Sequence, residues 1–314
     1  MSKYSAAVII PTRGGAARLH YPLDSLIQQT EKDFQVIVVI DGDIDNSAGV
    51  VQEYIDRGEL NLSMIVFEEN RGRVAALNAG HQAADATVLI RCDDDLAPEP
   101  HYVSQHLKHY QEGDLVGVIG LYKNIFPDTP YSKAYGNYRD QKFREDAYTT
   151  AQDRSWIYWA GNVSMTKDLF DQLGGYDPRY RLYGWEDVDM GYMAYKAGAR
   201  IIIDPDLETN HYVAATTTAI RAKRALYSGA ARNLFVKKHG QNILNPVNPR
   251  GIWGLALRLV ASVSTEKTIQ VMGKVTDQLL PYLPQSIGEK LVSLVVESAS
   301  YAGINYPQRA QKKF

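Results

Sequence analysis

The sequence predicts an α/β protein whose mostly parallel sheet carries helices on both faces. Short, almost wholly apolar runs alternate with segments of helical spacing through the first third of the 314 residues. Strands of a parallel sheet are buried on both faces, so they read as continuous apolar runs. The predicted strands are 6–11, 34–40, 62–67 and 86–92.

Helices are predicted between and after these strands, because apolar residues recur there at helical spacing. The predicted helices are 21–29, 48–57, 73–84, 167–173, 186–196 and 216–239. One more strand is predicted at 156–161, and 121–154 is interpreted as a loop-rich insertion. Helical patterns continue after a proline-containing linker. We therefore expect a large domain over 1–240 and a helical region over 241–314.

The single cysteine and the short apolar runs exclude several classes of protein. Because Cys92 is the only cysteine, neither an internal disulfide nor a cysteine-based zinc site is expected. No run of about 18 apolar residues is present, so we expect no transmembrane helix, and 6–10 is too short for a signal peptide. We expect a cytoplasmic protein, with peripheral attachment to a membrane as an open alternative.

A net charge of −2 conceals an uneven distribution of charge. Residues 209–265 contain eight Lys or Arg and no Asp or Glu, and 241–314 contains eight basic and four acidic residues. Such a basic region suits an anionic substrate or an anionic membrane surface, and a solvated helix face is the plain alternative. Nucleic-acid binding is not expected, because no motif for it is present.

Polar residues follow each of the four predicted strands. In parallel α/β sheets, ligands bind at the carboxyl ends of the strands, so we expect these residues to converge on one crevice. They are Thr12, Arg13, Asp41, Asn70, Asp93, Asp94 and Asp95. The loop after the first strand carries neither a dinucleotide fingerprint nor a Walker A motif, so a nicotinamide enzyme is not expected.

The acidic run Asp93-Asp94-Asp95 directly follows a predicted buried strand. Carboxylates there are costly unless a cation or a ligand uses them. Asp93 and Asp95 point the same way on an extended segment, so together they could hold Mn²⁺ or Mg²⁺ against a diphosphate. A solvated acidic turn that caps the next helix is the alternative, and the run by itself does not decide between the two.

Six segments of the chain contain recognisable sequence motifs. They are 8–13, 39–43, 70–80 (N-x-G…N-x-G), 93–98 (D-x-D), 161–176 and 183–189 (W-G-x-E-D). Taken in order, these segments resemble inverting glycosyltransferases of family 2 with the GT-A fold, in which 8–13 would be the first strand and the nucleotide-base loop. Some also resemble the catalytic domain of β-1,4-galactosyltransferases. The resemblance covers roughly 7–240 and implies a catalytic domain, with a nucleotide-sugar half over about 1–120 and an acceptor half over about 121–240.

The resemblance also implies roles for individual residues. The implied nucleotide-sugar contacts are Pro11, Thr12, Arg13, Asp41, Asn70, Arg73, Asp93 and Asp94. The implied acceptor contacts are Trp185, Tyr183 and Gly161. Many family-2 members have Arg where this chain has Leu77, whereas the galactosyltransferase-like pattern has an Arg four residues earlier, which Arg73 matches. The Q-x-x-R-W motif of processive polymerases is absent, so a non-processive enzyme is expected.

Inverting sugar transfer needs a base for the incoming hydroxyl and a cation for the leaving diphosphate. Asp187 is the predicted general base, at a helix N-terminus whose dipole favours a carboxylate, with Glu186 orienting the acceptor or the loop. Simple helix capping is the alternative role for both. Asp95, with Asp93, is the predicted metal site, and His211 resembles a further ligand, 24 residues after Asp187. Imidazole with carboxylate favours Mn²⁺ over Mg²⁺.

We therefore predict a metal-dependent, non-processive, inverting glycosyltransferase of the hexosyl or N-acetylhexosaminyl class. Its donor would be a nucleotide-diphosphate sugar, UDP-linked, and its acceptor a hydroxyl of a glycan, a lipid-linked oligosaccharide or a small molecule. One alternative is a sugar-nucleotide nucleotidyltransferase, which needs a glycine-rich loop with a catalytic Lys or Arg after the first strand and leaves Trp185-Glu186-Asp187 unexplained. Another is a non-catalytic sugar- or membrane-binding scaffold, which the intact set Asp93, Asp95, Asp187 and His211 argues against.

Overall fold

The chain folds into two compact units in a computed structural model that describes residues 2–110 and 115–311. The first unit comprises Met1–Lys123, Arg144–Arg179 and Glu186–Tyr212. The second comprises Asn124–Phe143, Tyr180–Trp185 and Val213–Phe314. Residues 213–240 thus pack with the C-terminal helices, and the functional boundary at residue 240 stays a prediction.

The strands of the described residues are β1 (Tyr4–Thr12), β2 (Phe34–Ile40), β3 (Leu62–Val66), β4 (Ala86–Cys92), β5 (Leu96–Ala97), β6 (Val116–Ile119), β7 (Tyr122–Asn124), β8 (Asn162–Thr166), β9 (Arg200–Ile203) and β10 (Thr209–His211). Within that part of the chain the main sheet has the order β3-β2-β1-β4-β8-β6-β9. Only β8 runs antiparallel to its neighbours there. The small second sheet has the order β5-β10-β7. The mostly parallel sheet is confirmed.

The α-helices of the described residues are α1 (His20–Ile27), α2 (Ser47–Arg57), α3 (Arg73–Ala83), α4 (Tyr102–Leu107), α5 (Asn137–Tyr148), α6 (Lys167–Leu173), α7 (Trp185–Lys196), α8 (Thr218–His239), α9 (Gly251–Val263), α10 (Glu266–Leu279) and α11 (Gln285–Asn305). All six predicted helices form, with ends shifted by a few residues at most. None of the helices described at 2–110 and 115–311 is both long and apolar enough to cross a membrane.

Helices cover both faces of the main sheet in the first unit. On one face, Val8 and Ile10 of β1 pack with Leu23 of α1 and Val51 of α2 in one buried apolar cluster. On the other face, α3 lies so close that a Cβ on Gly80 would be 2.5 Å from Ile9 Cγ2. Both faces of β1 are therefore buried, which is why its sequence is continuously apolar.

Two of the predicted elements were wrong. The segment 121–154 is not loop-rich, because a π-helix (Ser132–Gly136) and the polar helix α5 lie within it. A 3₁₀ helix (Gln152–Tyr158) occupies the first half of the predicted strand 156–161, and the nearest strand, β8, begins only at Asn162. Trp156 and Trp159 are buried in the core. The prediction failed because so short an apolar run has no periodicity that distinguishes a strand from a helix.

In the second unit, α8 and α11 pack so closely that their backbones are in contact. A Cβ on Gly229 of α8 would be 2.2 Å from the carbonyl oxygen of Ser300, and a Cβ on Gly303 of α11 would be 2.1 Å from that of Leu226. Glycine on both helices therefore permits the contact. The α9–α10 junction is fixed by a capping box, in which Thr265 and Thr268 exchange side-chain and backbone hydrogen bonds.

Candidate active site

Asp94 ties the loop after β1 to the acidic run after β4. Its carboxylate accepts hydrogen bonds from Thr12 Oγ1 at 2.5 Å and from Arg18 Nε at 2.8 Å. A Cβ on Gly15 would be 2.0 Å from Thr12 Oγ1, so glycine is needed beside this pair. Pro11, the preceding residue, is half-buried in β1. The ends of two neighbouring parallel strands thus bring Thr12 and Asp94 together.

Asp41, at the end of β2, fixes the loop that precedes α3. Its carboxylate oxygens accept hydrogen bonds from the backbone N–H groups of Arg71 at 2.6 Å and Gly72 at 2.9 Å. Arg13 Nη1 donates to the Asp41 carbonyl oxygen at 2.6 Å, which links the ends of β1 and β2. Asn70 is exposed in the same loop. Three of the predicted nucleotide-binding residues therefore lie around one loop.

Arg91, a residue of β4, joins two of the predicted site carboxylates. It is 1% exposed. Its Nη1 donates to Asp187 Oδ1, and its Nε donates to Asp93 Oδ1 at 2.9 Å. A buried charge is costly unless it is paired and hydrogen-bonded, so the guanidinium and the two carboxylates depend on one another. Asp187 lies in the first turn of α7, as predicted.

Burial and Arg91 act in opposite directions on these two carboxylates. Burial raises the pKa of Asp187 to about 7, although the charge of Arg91 opposes this shift. Burial acts the same way on Asp93, but there the charges of Arg91 and Arg73 outweigh it and lower the pKa. Asp93 is therefore ionised at neutral pH. Asp187 exchanges its proton near pH 7, which is the range that suits a general base.

Glu186 is paired with Arg73 across the first unit. Arg73 Nη1 lies 3.3 Å from Glu186 Oε1, and Glu186 is 3% exposed. Arg73 is the first residue of α3, directly after the loop that Asp41 fixes. Glu186 therefore anchors the arginine that was predicted to contact the diphosphate, and that contact stays a prediction.

Asp95 and His211 face each other across the second sheet. Strands β5 and β10 pair antiparallel with Leu96 opposite His211, and Tyr212 N–H donates to the Asp95 carbonyl oxygen at 3.0 Å. His211 Nε2 then lies 3.1 Å from Asp95 Oδ2. One imidazole and one carboxylate fit Mn²⁺ or Mg²⁺ whose remaining positions go to phosphate oxygens and water.

The two carboxylate oxygens of Asp93 accept hydrogen bonds from Arg91 and Tyr122. Among residues 2–110 and 115–311, no group of three His, Cys, Asp or Glu side chains could hold a metal ion. The role of Asp93 as a ligand stays a prediction that its ion pair with Arg91 opposes.

Tyr122 connects Asp93 to the Asp95–His211 pair. Its hydroxyl donates to Asp93 Oδ2 at 3.2 Å, and its ring stacks on the His211 imidazole with centroids 4.9 Å apart. Gly161 makes room for this contact, because a Cβ there would be 2.0 Å from Asp93 Oδ2 and 2.2 Å from the Tyr122 hydroxyl. A continuous row of contacts results, and it consists of Asp187, Arg91, Asp93, Tyr122, His211 and Asp95.

The two predicted aromatic acceptor contacts belong to the second unit. Trp185 Nε1 donates to Ser228 Oγ at 3.0 Å, and the Trp185 ring lies 5.1 Å from that of Phe235. The Tyr183 ring is contacted by the guanidinium of Arg224 at 5.6 Å. Both residues are half-buried. Their role toward an acceptor stays a prediction, as does that of Gly161.

Three residues of the site were not predicted, namely Arg91, Arg18 and Tyr122. For Arg91 a signal was present, because it is a charge inside the apolar run 86–92 and a buried charge needs a counter-charge. Arg18 had no such signal, since one arginine in a polar loop is ordinary. Tyr122 was one of several aromatic residues in a segment that was interpreted as a loop.

The chain belongs to glycosyl transferase family 2, which it matches over residues 7–174, more than half of its length. Residues 144–216 also match the family described as the N-terminal domain of galactosyltransferase. These two matches confirm the resemblance predicted from the motifs. They also confirm the prediction of a glycosyltransferase and give no support to the nucleotidyltransferase and scaffold alternatives.

Characterised relatives are glycosyltransferases of several kinds. Validoxylamine A glucosyltransferase of Streptomyces hygroscopicus subsp. jinggangensis (strain 5008) is 28% identical over 297 residues, with 83% of this chain and 66% of that protein covered. Chondroitin synthase of Pasteurella multocida (strain Pm70) is 25% identical over 223 residues, with 61% of this chain and 23% of that protein covered. The chain thus spans less than two thirds of the length of these relatives.

Solved structures share the fold. A mannosyltransferase from Pyrobaculum calidifontis, in complex with GDP-Man and Mn²⁺, superposes with a TM-score of 0.68 at 18% identity, covering 98% of this chain and 88% of that one. GalNAc-T7 with UDP, GalNAc and Mn²⁺ superposes with a TM-score of 0.55 at 15% identity, covering 92% of this chain and 53% of that one. The likeness confirms the predicted GT-A fold.

Proposed function

We propose that this protein is a metal-dependent, non-processive, inverting glycosyltransferase that moves a sugar from a UDP-linked donor to a hydroxyl acceptor. The observation that carries the proposal is the row of contacts from Asp187 to Asp95. One end offers a carboxylate that exchanges its proton near pH 7. The other end offers a carboxylate and an imidazole suited to a divalent cation. Sugar transfer from a nucleoside diphosphate needs both.

Asp95 and His211 would hold the cation, which when bound neutralises charge on the diphosphate leaving group. The family membership of the chain and the Mn²⁺ in two structures of the same fold support this part of the proposal. Tyr122 stacks on the imidazole and so restricts its rotation. We favour Mn²⁺ because its ligands commonly include nitrogen, whereas Mg²⁺ prefers oxygen alone.

Asp187 would accept the proton of the attacking hydroxyl. Arg91 holds the carboxylate in a fixed position from a strand of the main sheet, so the base need not be ordered when the acceptor arrives. The Arg73–Glu186 pair lies in the same unit. The guanidinium of Arg73 would lie on the donor side, where it can contact a phosphate oxygen. In this proposal the catalytic domain is 1–240 and 241–314 is an accessory helical region.

The relatives support a proposal for the classes of donor and acceptor. The relatives include a validoxylamine A glucosyltransferase and a chondroitin synthase. We propose a hexosyl or N-acetylhexosaminyl donor. The acceptor hydroxyl would belong to a glycan, a lipid-linked oligosaccharide or a small molecule, and the basic helices would allow peripheral contact with a membrane.

The first test is nucleotide binding by calorimetry with UDP, GDP and dTDP, each measured in Mn²⁺ and in EDTA. We expect UDP to bind in Mn²⁺ and to bind at least about tenfold more weakly in EDTA, because the cation links the diphosphate to Asp95 and His211. Tighter binding of GDP would change the donor while keeping the mechanism. Failure of all three nucleotides to bind would contradict a nucleotide-sugar donor.

Variants of Asp95 and His211 test whether these two residues bind the cation. Asp95→Ala and His211→Ala should each remove most of the difference between Mn²⁺ and EDTA, because each deletes one of two protein ligands. Asp153→Ala is the matched control, since Asp153 is an exposed carboxylate of the same unit at the start of a 3₁₀ helix. Equal affinity for UDP in Mn²⁺ and EDTA in the unaltered protein would contradict the assignment of the cation.

A dependence of the rate on pH follows from the pKa of Asp187. A general base works only when it is ionised, and burial raises the pKa of this carboxyl to about 7. We therefore expect kcat/KM to fall by about tenfold for each pH unit below 7 and to level off above it. The measurement is kcat/KM from pH 5 to 9 at saturating Mn²⁺. A profile that stays flat down to pH 5 would assign the proton transfer to another group.

A further inference from the structure

The outward face of α9 is apolar although it is exposed. Ile252, Leu255, Leu259 and Val263 recur at helical spacing and are 91%, 54%, 62% and 56% exposed. The opposite face of the helix, with Gly254, Leu257 and Ala261, is buried in the second unit. A surface helix that packs on its own domain normally turns polar residues to water, so a second apolar stripe indicates that something else covers it.

The edges of this apolar stripe carry the residue types found at a membrane surface. On the helical wheel Arg258 lies on one side of the stripe and Trp253 lies on the other, and both are exposed, Trp253 by 40%. An arginine can extend its guanidinium toward phosphate while its methylenes stay in apolar surroundings, and tryptophan favours the boundary between headgroups and acyl chains. The arrangement is typical of a helix that lies in the plane of an interface.

The C-terminal region that contains α9 carries an excess of positive charge, because residues 241–311 include six Lys or Arg and four Asp or Glu. Glu266 lies 3.5 Å from Lys223 Nζ, Asp277 accepts from Thr218, and Glu297 accepts from Trp253 Nε1 at 3.1 Å. By contrast, the four exposed basic residues between positions 250 and 274 form no ion pair within the described parts of the chain. They are Arg250, Arg258, Lys267 and Lys274.

We propose that α9 is a membrane-docking helix that lies flat on an anionic lipid bilayer. The apolar stripe would enter the boundary between headgroups and acyl chains, and Arg258 beside it would contact lipid phosphates. Charge complementarity selects this occupant over a second copy of the chain, because two copies of α9 would bring like charges together. The inference concerns only the second unit and does not depend on which sugar is transferred.

Vesicle flotation tests the docking directly. The whole protein is mixed with vesicles of phosphatidylcholine alone or with 30% phosphatidylglycerol, and the fraction that floats is measured against lipid concentration. We expect the partition coefficient to be at least about tenfold higher on the anionic vesicles and to fall on raising salt. No partition onto anionic vesicles would overturn the proposal.

A matched pair of double variants tests whether vesicle binding depends on the apolar stripe of α9 or on exposed apolar residues in general. Leu255→Gln with Leu259→Gln should lower the partition coefficient at least about tenfold, because two inserting side chains are lost. Val66→Gln with Leu115→Gln removes two apolar residues of the first unit, 44% and 45% exposed, and should leave it unchanged. Equal loss in both would overturn the proposal, as would a concentration-dependent dimer in sedimentation that the α9 variant alone abolishes.

The buried cysteine allows a site-specific readout of depth. Cys92 is fully buried, and burial raises the pKa of its thiol well above the ordinary value, so it should not react with a thiol-directed dye. Leu259→Cys would then give one reactive thiol, to be labelled with an environment-sensitive fluorophore. A blue shift on anionic vesicles at this position, with none for Leu115→Cys, supports insertion of α9. A label at 259 that stays in water while the protein floats would overturn it.

Discussion

Replacing Asp187 with asparagine is expected to lower kcat by about a thousandfold while the affinity for UDP changes less than about threefold. The amide cannot accept the proton of the acceptor hydroxyl, and general-base catalysis contributes about 10²–10⁴ in rate. The nucleotide is held elsewhere in the proposed site, so its binding should survive. The measurements are single-turnover transfer with a labelled UDP-sugar and calorimetry with UDP in Mn²⁺.

A control variant distinguishes a catalytic loss from the loss of a helix cap. Asp168→Asn also removes a carboxylate from the first turn of a helix, α6, and Asp168 is exposed. We expect it to retain transfer and to lower stability by less than about 1 kcal/mol. If Asp187→Asn retains turnover, the base is another residue, with Asp189 two positions later on the same helix the next to change.

The second large effect is expected at Arg91. Replacing it with methionine keeps the approximate volume but leaves Asp187 and Asp93 without their buried counter-charge. Breaking a buried ion pair from one side costs about 3–5 kcal/mol, so urea unfolding should show a loss in that range. The matched control is Lys167→Met, which breaks an exposed pair with Asp171 and should cost less than about 1 kcal/mol.

Arg91 also affects the base, and that effect is separable from stability. The charge of Arg91 opposes the rise in the pKa of Asp187 that burial causes. Without it the acid limb of kcat/KM should move to higher pH, a change that a merely structural residue would not produce. Arg91→Lys keeps the positive charge but loses the planar guanidinium. Its acid limb should therefore lie between that of the unaltered protein and that of Arg91→Met. A stability loss below about 1 kcal/mol together with an unmoved pH profile would show that the pair is not needed.

The sequence was most informative where a pattern had one structural solution. Continuous apolar runs that end in polar residues predicted both the parallel sheet and the edge at which Thr12, Asp41 and Asp93 lie. The resemblance to known motifs then predicted that Asp95 and His211 belong to one site, although 116 residues separate them. The structure brings their side chains to 3.1 Å.

The sequence was least informative where several partners competed for one residue. Asp93 could serve a cation or an arginine, and only the fold shows that the guanidinium two residues earlier pairs with it. Its role as a metal ligand stays a prediction. Gly161 was predicted to contact an acceptor, and in the structure it makes room for Asp93 and Tyr122. The helix α5 was missed because its charged sequence carries no apolar stripe, so no periodicity marked it.

The contact between α8 and α11 has a consequence for how the chain is made. The buried side of α8, with Ala222 and Leu226, is covered by α11 residues such as Val292 and Ala299. Since α11 begins 46 residues after α8 ends, α8 leaves the ribosome well before its partner exists. In the first unit β1 likewise pairs with a distant partner, since β4 begins 74 residues after β1 ends. During synthesis, the apolar side of α8 is therefore uncovered until α11 has been made, and a chaperone can bind it in that interval.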